Sequence, residues 1–293
     1  MPAFLLLTDK CNLNCSYCFN NSYPIKNKKK INSFDWIKIL NILAKNKINE
    51  IILSGGEPLL LGDDLIKIIS EANKLNINSL LLTNGNLLEE KILQELKKAG
   101  LKNLTISLNE LTFADDETKI ENVLHFKNNI LQASLSFFDF ISITILLSNK
   151  NFKFINKILS FFKNEKIAII IQPVFDKDLG LYNLKENEWS DLKLQLSDWT
   201  IKYEKYNYVQ FIYNLFNNIN DYTNPTCFMG NSAFVIDWYA DVIPCFHQPQ
   251  KVCGNILLDN ANDIFLNLLY NSENNFDGNC FGLHCISLFF NQI

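Results

Sequence analysis

The sequence predicts an α/β chain, a partial (β/α)6 barrel of the TIM-like kind with a small β-hairpin and helix extension at its C-terminal end. Three observations carry this. Six apolar runs lack polar alternation: Ala3–Thr8, Glu50–Ser54, Ser79–Thr83, Asn103–Leu108, Phe140–Leu147 and Ala168–Val174. Strands of that texture are buried on both faces, as in parallel sheets covered by helices. Segments of helical period separate the runs, and from about Asn224 the texture changes to recurrent Pro, Gly, Asp and Cys. The site of such a fold is expected at the C-terminal ends of its strands.

The elements follow in order. Phe34–Lys45 is a helix by the spacing of Trp36, Ile39, Leu40 and Leu43, with Ser33 as its N-cap. Glu50–Ser54 is a buried strand stopped by Gly55-Gly56, and Asp64–Leu75 is the next helix. Helices at Leu88–Ala99, Glu117–Ala133 and Phe152–Lys163 separate the later strands. Asp176–Asn187 is a turn-rich connection, and Glu188–Asn218 is helical with many aromatics. A hairpin is expected over Ala233–Ile243, turning near Tyr239-Ala240. The division expected is residues 1–185 for the barrel, 186–223 for a helical connection and 224–293 for a small metal-stabilised domain.

Composition narrows the class. The chain has 293 residues, 48% of them hydrophobic, ample for a packed core. A net charge of −4 gives no signal for nucleic acid, and the run KNKKK at 26–30 reads as solvated surface. There is no arginine, so lysine is the only permanent cation. No signal peptide and no membrane span is legible, which makes a cytoplasmic protein the expectation. In that compartment eight cysteines argue for metal or redox chemistry over disulfides.

Cys11, Cys15 and Cys18 stand at C-x3-C-x2-C spacing directly after the first strand. Three thiolates hold three irons of a [4Fe–4S] cube and leave the fourth open to a substrate or cofactor. The alternatives are a zinc knuckle, which would want a fourth ligand close by, and ordinary core cysteines; no histidine occurs before residue 125. At the next strand end, Ser54-Gly55-Gly56-Glu57-Pro58 offers glycines that let a backbone approach closely and a carboxylate that pairs with a cation. The rival reading is a tight turn before a helix.

The cysteine triad with Tyr17 before Cys18, followed by the GGEP segment, resembles the radical S-adenosylmethionine (radical SAM) enzymes over about residues 3–175. The resemblance implies that the fourth iron binds the amino and carboxylate groups of S-adenosylmethionine. An electron received from an external donor such as flavodoxin or ferredoxin then releases a 5′-deoxyadenosyl radical, which abstracts a substrate hydrogen. It places Tyr17 beside the adenine and Gly55, Gly56, Glu57 and Pro58 around the methionine ammonium. Thr83 and Asn84 occupy the family's T-N-G position. Ser107 and Asn109 stand where S-L-D contacts the ribose or carboxylate, with Asn109 replacing the usual Asp. Gln172 falls where the adenine end is lined.

Five further cysteines lie late in the chain: Cys227, Cys245, Cys253, Cys280 and Cys285. FVIDWYADVIPC resembles the hairpin of SPASM and Twitch extensions, which hold auxiliary [4Fe–4S] clusters. The Twitch arrangement implies Cys227, Cys245, Cys280 and Cys285 as ligands, with zinc on the same thiolates as the alternative. Ala240 stands where that pattern has Gly, so a turn with φ > 0 there would be strained. Cys253 reads as a small buried hydrophobe, a substitute ligand or a hydrogen-atom donor to a substrate radical. His125, His247 and His284 read as surface or outer-shell groups.

The resemblance implies modification of a ribosomally made peptide by epimerisation, crosslinking or oxidation. The alternative is oxidation or epimerisation of a small polar molecule such as an aminocyclitol or sugar. The first strand begins at residue 3, which disfavours peptides that need a built-in leader-binding domain, unless a separate protein supplies it. Trp189–Phe216 could line a groove for either substrate, though such a stripe is more often core. From other classes, a non-catalytic iron–sulfur carrier and a structural zinc protein remain.

Overall fold

A computed structural model describes residues 1–138, 141–163, 167–174, 176–202, 230 and 233–273. They fall into two compact units, one of residues 1–104 with the described part of 227–280, the other of described residues within 105–226.

In the first unit, β1 (Ala3–Leu6), β2 (Glu50–Ser54) and β3 (Asn78–Thr83) pair in parallel. β7 (Phe234–Ile236) joins the other side of β1, also in parallel, and continues into β8 (Asp241–Ile243) and the short β9 (Gly254–Asn255), both antiparallel. The order is therefore β3-β2-β1-β7-β8-β9. β1 is flanked on both sides, which is why Ala3, Leu5 and Leu6 are fully buried. α1 (Ser33–Lys45), α2 (Asp63–Lys74) and α3 (Glu90–Ala99) link the parallel strands and turn their apolar faces inward, α1 burying Trp36, Ile39, Leu40 and Leu43 as their spacing predicts.

The cap of α1 differs from expectation. Asn32, not Ser33, is the N-cap: its side chain accepts from Phe34 N and Asp35 N, and Asp35 reaches back to the Asn32 amide. Asp stands three residues after Asn32, so this pair closes a capping box, leaving Ser33 inside the first turn.

β4 (Asn103–Ser107) carries the chain from the first unit into the second. There β5 (Ile141–Leu147) pairs in parallel with β6 (Ile167–Pro173), and α4 (Glu117–Leu135), α5 (Ile155–Phe161) and α6 (Glu186–Lys202) follow the strands. Of the helix expected at Phe152–Lys163, the first three residues form a 3-10 turn and Ile155–Phe161 the α-helix. The expected helix Glu188–Asn218 is described to Lys202, and the remainder lies outside the described residues. No helix among the described residues is long and apolar enough to cross a membrane.

The C-terminal hairpin forms where its pattern predicts, with Val235 opposite Ile243 and Ile236 opposite Val242. Its turn puts Ala240 at φ 65, the left-handed conformation that makes a Gly-to-Ala exchange strained. Asp237 holds that turn: its Oδ1 accepts the amides of Tyr239 and Asp241 at 2.8 and 2.9 Å.

Candidate iron–sulfur site

The exits of β1, β2 and β3 lie side by side, because the three strands are neighbours and point the same way. The connection after β1 carries Cys11, Cys15 and Cys18 within a series of short turns. Cys18 N donates to Cys15 O at 3.2 Å, and the Asn21 side chain donates to Cys15 O and Ser16 O at 2.9 and 3.1 Å. Cys11 is exposed, whereas Cys15, Tyr17 and Cys18 are half-buried.

None of the three forms a disulfide. Burial pushes the Cys18 thiol above its ordinary 9.0, against a backbone bond at Asn20 that lowers it, and the charges of Cys15 and Cys11 raise it further. Among the described residues no three His, Cys, Asp or Glu side chains converge on one ion-sized point. Three thiolates in one connection are the donor set that iron–sulfur clusters take, and no fourth ligand of the kind a structural zinc needs lies among them. The residues present fit the cluster.

Gly55 and Gly56 press directly on this connection. A Cβ on Gly56 would sit 2.0 Å from the Lys10 carbonyl oxygen, and one on Gly55, at φ +127, would sit 2.4 Å from that of Thr8. The close approach anticipated for a ligand is made first to the protein's own chain. Gly56 N donates to Thr8 O at 2.6 Å and Glu57 N to Lys10 O at 2.7 Å, clamping the residue before Cys11.

Glu57 is only 1% exposed and joins the second exit to the third. Its carboxylate accepts from Leu59 N (3.1 Å), Thr83 Oγ1 (2.7 Å) and Asn84 N (2.8 Å). Pro58 opens the short 3-10 turn that follows. Asn84 then reaches the triad: its Nδ2 donates to Asn12 Oδ1 at 2.8 Å and lies 4.0 Å from Cys11 Sγ. Leu13 N donates to the same sulfur at 3.4 Å. Asn12 thus belongs to the site, a residue the sequence reading passed over. Its signal was a polar side chain set inside the cysteine motif.

The remaining expected contacts belong to the second unit. Ser107 ends β4, Asn109 begins the 3-10 turn after it, and Gln172 stands opposite Leu146 near the end of β6. Close by, the fully buried Lys127 of α4 pairs with Glu110 at 2.9 Å.

Of the late cysteines, Cys245 and Cys253 are described and buried. Cys245 follows β8, and its sulfur accepts from His247 N at 3.4 Å. Cys253 N donates to Val242 O at 2.8 Å, and its carbonyl accepts from Asn267 Nδ2 at 3.0 Å. Cys227, Cys280 and Cys285 lie outside the described residues, as does His284.

Several known proteins are similar to this chain. GTP 3′,8-cyclase of Clostridium acetobutylicum is 41% identical over 118 residues, 40% of this chain and 36% of the relative. PqqA peptide cyclase of Gluconobacter oxydans is 36% identical over 121 residues, 40% and 33% of the two chains. A probable GTP 3′,8-cyclase of Methanococcus aeolicus is 31% identical over 205 residues, 67% of each. The chain thus spans about a third of the length of the first two relatives.

Three solved structures share the fold. Streptococcus suis SuiB bound to S-adenosylmethionine superposes with a TM-score of 0.63 at 15% identity, covering 90% of this chain and 65% of that one. Native anSMEcpe with bound AdoMet gives 0.66 at 20%, covering 94% and 82%. BtrN in complex with AdoMet and 2-DOIA gives 0.52 at 17%, covering 97% and 90%. The α/β fold of open, partial-barrel type is therefore the one predicted. The model of the Radical SAM superfamily matches residues 5–151, half of the chain, and the chain belongs to that superfamily.

Proposed function

We propose that this protein is a radical SAM enzyme in which Cys11, Cys15 and Cys18 hold the [4Fe–4S] cluster of the family, and that it modifies a ribosomally made peptide. What carries the cluster assignment is the meeting of three strand exits: the triad after β1, clamped by Gly56 and Glu57 after β2, and bonded through Asn12 to Asn84 after β3. When bound, the cluster supplies the electron that cleaves S-adenosylmethionine to the 5′-deoxyadenosyl radical.

In this reading the protein's own groups hold that space open and rigid. Glu57 locks two exits together, Asn84 and Leu13 N direct N–H groups at Cys11, and Tyr17 would line the adenine of bound S-adenosylmethionine. Ser107, Asn109 and Gln172 are assigned to S-adenosylmethionine binding by the family resemblance. Cys227, Cys245, Cys280 and Cys285 are assigned to one auxiliary [4Fe–4S] cluster, and Cys253 to donating a hydrogen atom. Residues 1–185, 186–223 and 224–293 are the corresponding functional divisions. Flavodoxin or ferredoxin is proposed as the electron donor, the setting as cytoplasmic, and nucleic acid and membrane are not proposed as partners.

Peptide modification is supported by the relatives: one is a PqqA peptide cyclase, and SuiB is known bound to precursor peptide SuiA. A second reading, oxidation or epimerisation of a small polar molecule, is favoured by coverage. BtrN, solved with 2-DOIA, spans nearly the whole of this chain and is itself nearly covered by it.

The test is iron and sulfide analysis of anaerobically purified protein, with 5′-deoxyadenosine measured after reduction. About eight irons per chain with nucleoside release support the proposal. Four irons with zinc would move the late cysteines to a structural site, and no release under any reductant would overturn the radical assignment. Mass analysis of a candidate peptide, against oxidation of an aminocyclitol, separates the two substrate readings.

A further inference from the structure

The run Lys26–Lys30 is exposed from Asn27 to Lys30, as its composition predicts, but Lys26 is largely buried and Lys26, Lys28 and Lys30 are ion-paired. It ends the long connection that carries the triad, residues 7–32, whose regular structure is one 3-10 turn at Phe19–Ser22. Lys26 Nζ donates to Asp237 Oδ2 at 3.1 Å and to Asp241 Oδ2 at 2.8 Å. Lys28 Nζ donates to both oxygens of Asp241, at 3.1 and 3.0 Å. Lys30 pairs with Asp9, so one ion pair brackets the whole cysteine segment.

Both acids belong to the C-terminal hairpin and are 0 and 1% exposed. A buried carboxylate without a cation is strongly unfavourable, so these acids require the lysines. Tyr23 OH adds a bond to Asp237 at 3.1 Å, and Ile31 N one to Trp238 O at 2.9 Å. Asn255 Nδ2 reaches Asp241 at 2.7 Å from the far side. Aromatic packing runs alongside: Phe19, next to Cys18, lies 5.3 Å from Phe246, next to Cys245, and Tyr23 lies 4.6 Å from Trp238. Beyond Phe19, these ties run to a hairpin more than two hundred residues away in sequence.

We propose that Lys26 and Lys28 are positioning residues: they strap the cysteine connection to the Asp237–Asp241 hairpin, and cluster assembly on Cys11, Cys15 and Cys18 depends on that strap. The inference rests on the reading that the triad holds the cluster. The late extension then acts on the first site mechanically, whatever its own cysteines bind. With the strap cut, the cysteine connection keeps its local turns but loses its fixed attitude toward the exits of β2 and β3.

The test uses the full chain. Lys26→Met removes the shared cation. Lys26→Met/Lys28→Met/Asp241→Asn removes the strap with less buried charge, should the single variant fail to fold. Leu159→Ala, in the second unit and chosen to lower the unfolding midpoint comparably, controls for general destabilisation. Amide exchange in metal-free protein is expected to quicken about tenfold across residues 19–31 and to stay unchanged across 141–147. Iron retained by the triad per folded chain is expected to fall at least twofold relative to Leu159→Ala. Unchanged exchange, or iron equal to the control, overturns the strap. Failure of the underlying reading shows separately: wild type and the Cys11→Ala/Cys15→Ala/Cys18→Ala variant would then carry equal iron, while the exchange arm still decides the strap.

Discussion

Gly56→Ala is expected to damage the cluster site through the protein's own backbone, before any ligand is involved. The added Cβ falls 2.0 Å from the Lys10 carbonyl oxygen and 2.5 Å from its carbon. Ordinary contact begins at 3.4 Å, so the carbonyl must retreat by about 1.4 Å, the difference between 3.4 and 2.0 Å. Neither partner is the far end of a flexible side chain, so a rotamer change gives no relief. The retreat breaks the bonds from Gly56 N to Thr8 O and from Glu57 N to Lys10 O. Each is worth about 1 kcal/mol net, and overpacking adds about 1–3 kcal/mol. A loss of about 3–5 kcal/mol is expected in urea unfolding, unless the Lys10–Cys11 segment moves away instead. Either way Cys11 leaves its place and bound iron falls. Gly62→Ala is the control: at φ +53 it carries backbone strain, but its Cβ meets nothing within 4 Å, so iron should be retained. Wild-type iron together with stability within about 0.5 kcal/mol of wild type in Gly56→Ala would refute the reasoning.

Three further predictions follow from the same geometry. Glu57→Gln keeps the shape but turns an amide toward an N–H donor, since Leu59 N and Asn84 N donate to opposite oxygens of the carboxylate. A loss of about 1–3 kcal/mol is expected in urea unfolding of metal-free protein, and a neutral result would remove Glu57 as the bracket between exits. At position 240, stability should rank Gly at or above Ala, with Val below Ala by about 2 kcal/mol or more, because a β-branched side chain at positive φ is strained; equal stabilities would mean the turn is not held in this form. Burial works to raise the carboxyl of Asp241, but bonds from Lys26, Asn255 and Lys28 outweigh it and hold it below its ordinary 3.8. Its contribution is therefore complete above that value and lost as pH falls through the lower folded value. Lys26 is desolvated too, yet bonds from Asp241 and Asp237 keep it above its ordinary 10.5, so it stays charged throughout that window. As pH falls below the ordinary 3.8 of the Asp241 carboxyl, the unfolding midpoint of wild type should fall more steeply than that of Asp241→Asn, and parallel curves would count against the strap's electrostatics.

By itself the sequence determined the order of strands and helices, the buried face of α1, the cysteine triad and the hairpin with its strained Ala240. Those features rest on short-range chemistry: the period of apolar side chains, the spacing of soft ligands, and the dihedral freedom of one residue type. The tertiary structure decided what the polar residues do, because partners come from elements distant in the chain. Glu57 read as a cation's partner and is found accepting from Leu59, Thr83 and Asn84. Gly56 read as room for a ligand, and its nearest neighbour is the carbonyl of Lys10. Lys26 and Lys28 read as solvated charge; Lys28 is half-exposed, Lys26 is largely buried, and both are ion-paired to acids of the hairpin. A lysine run carries no record of which acids lie opposite it. That is settled only when β7 pairs with β1 and brings the hairpin beside the cysteine connection.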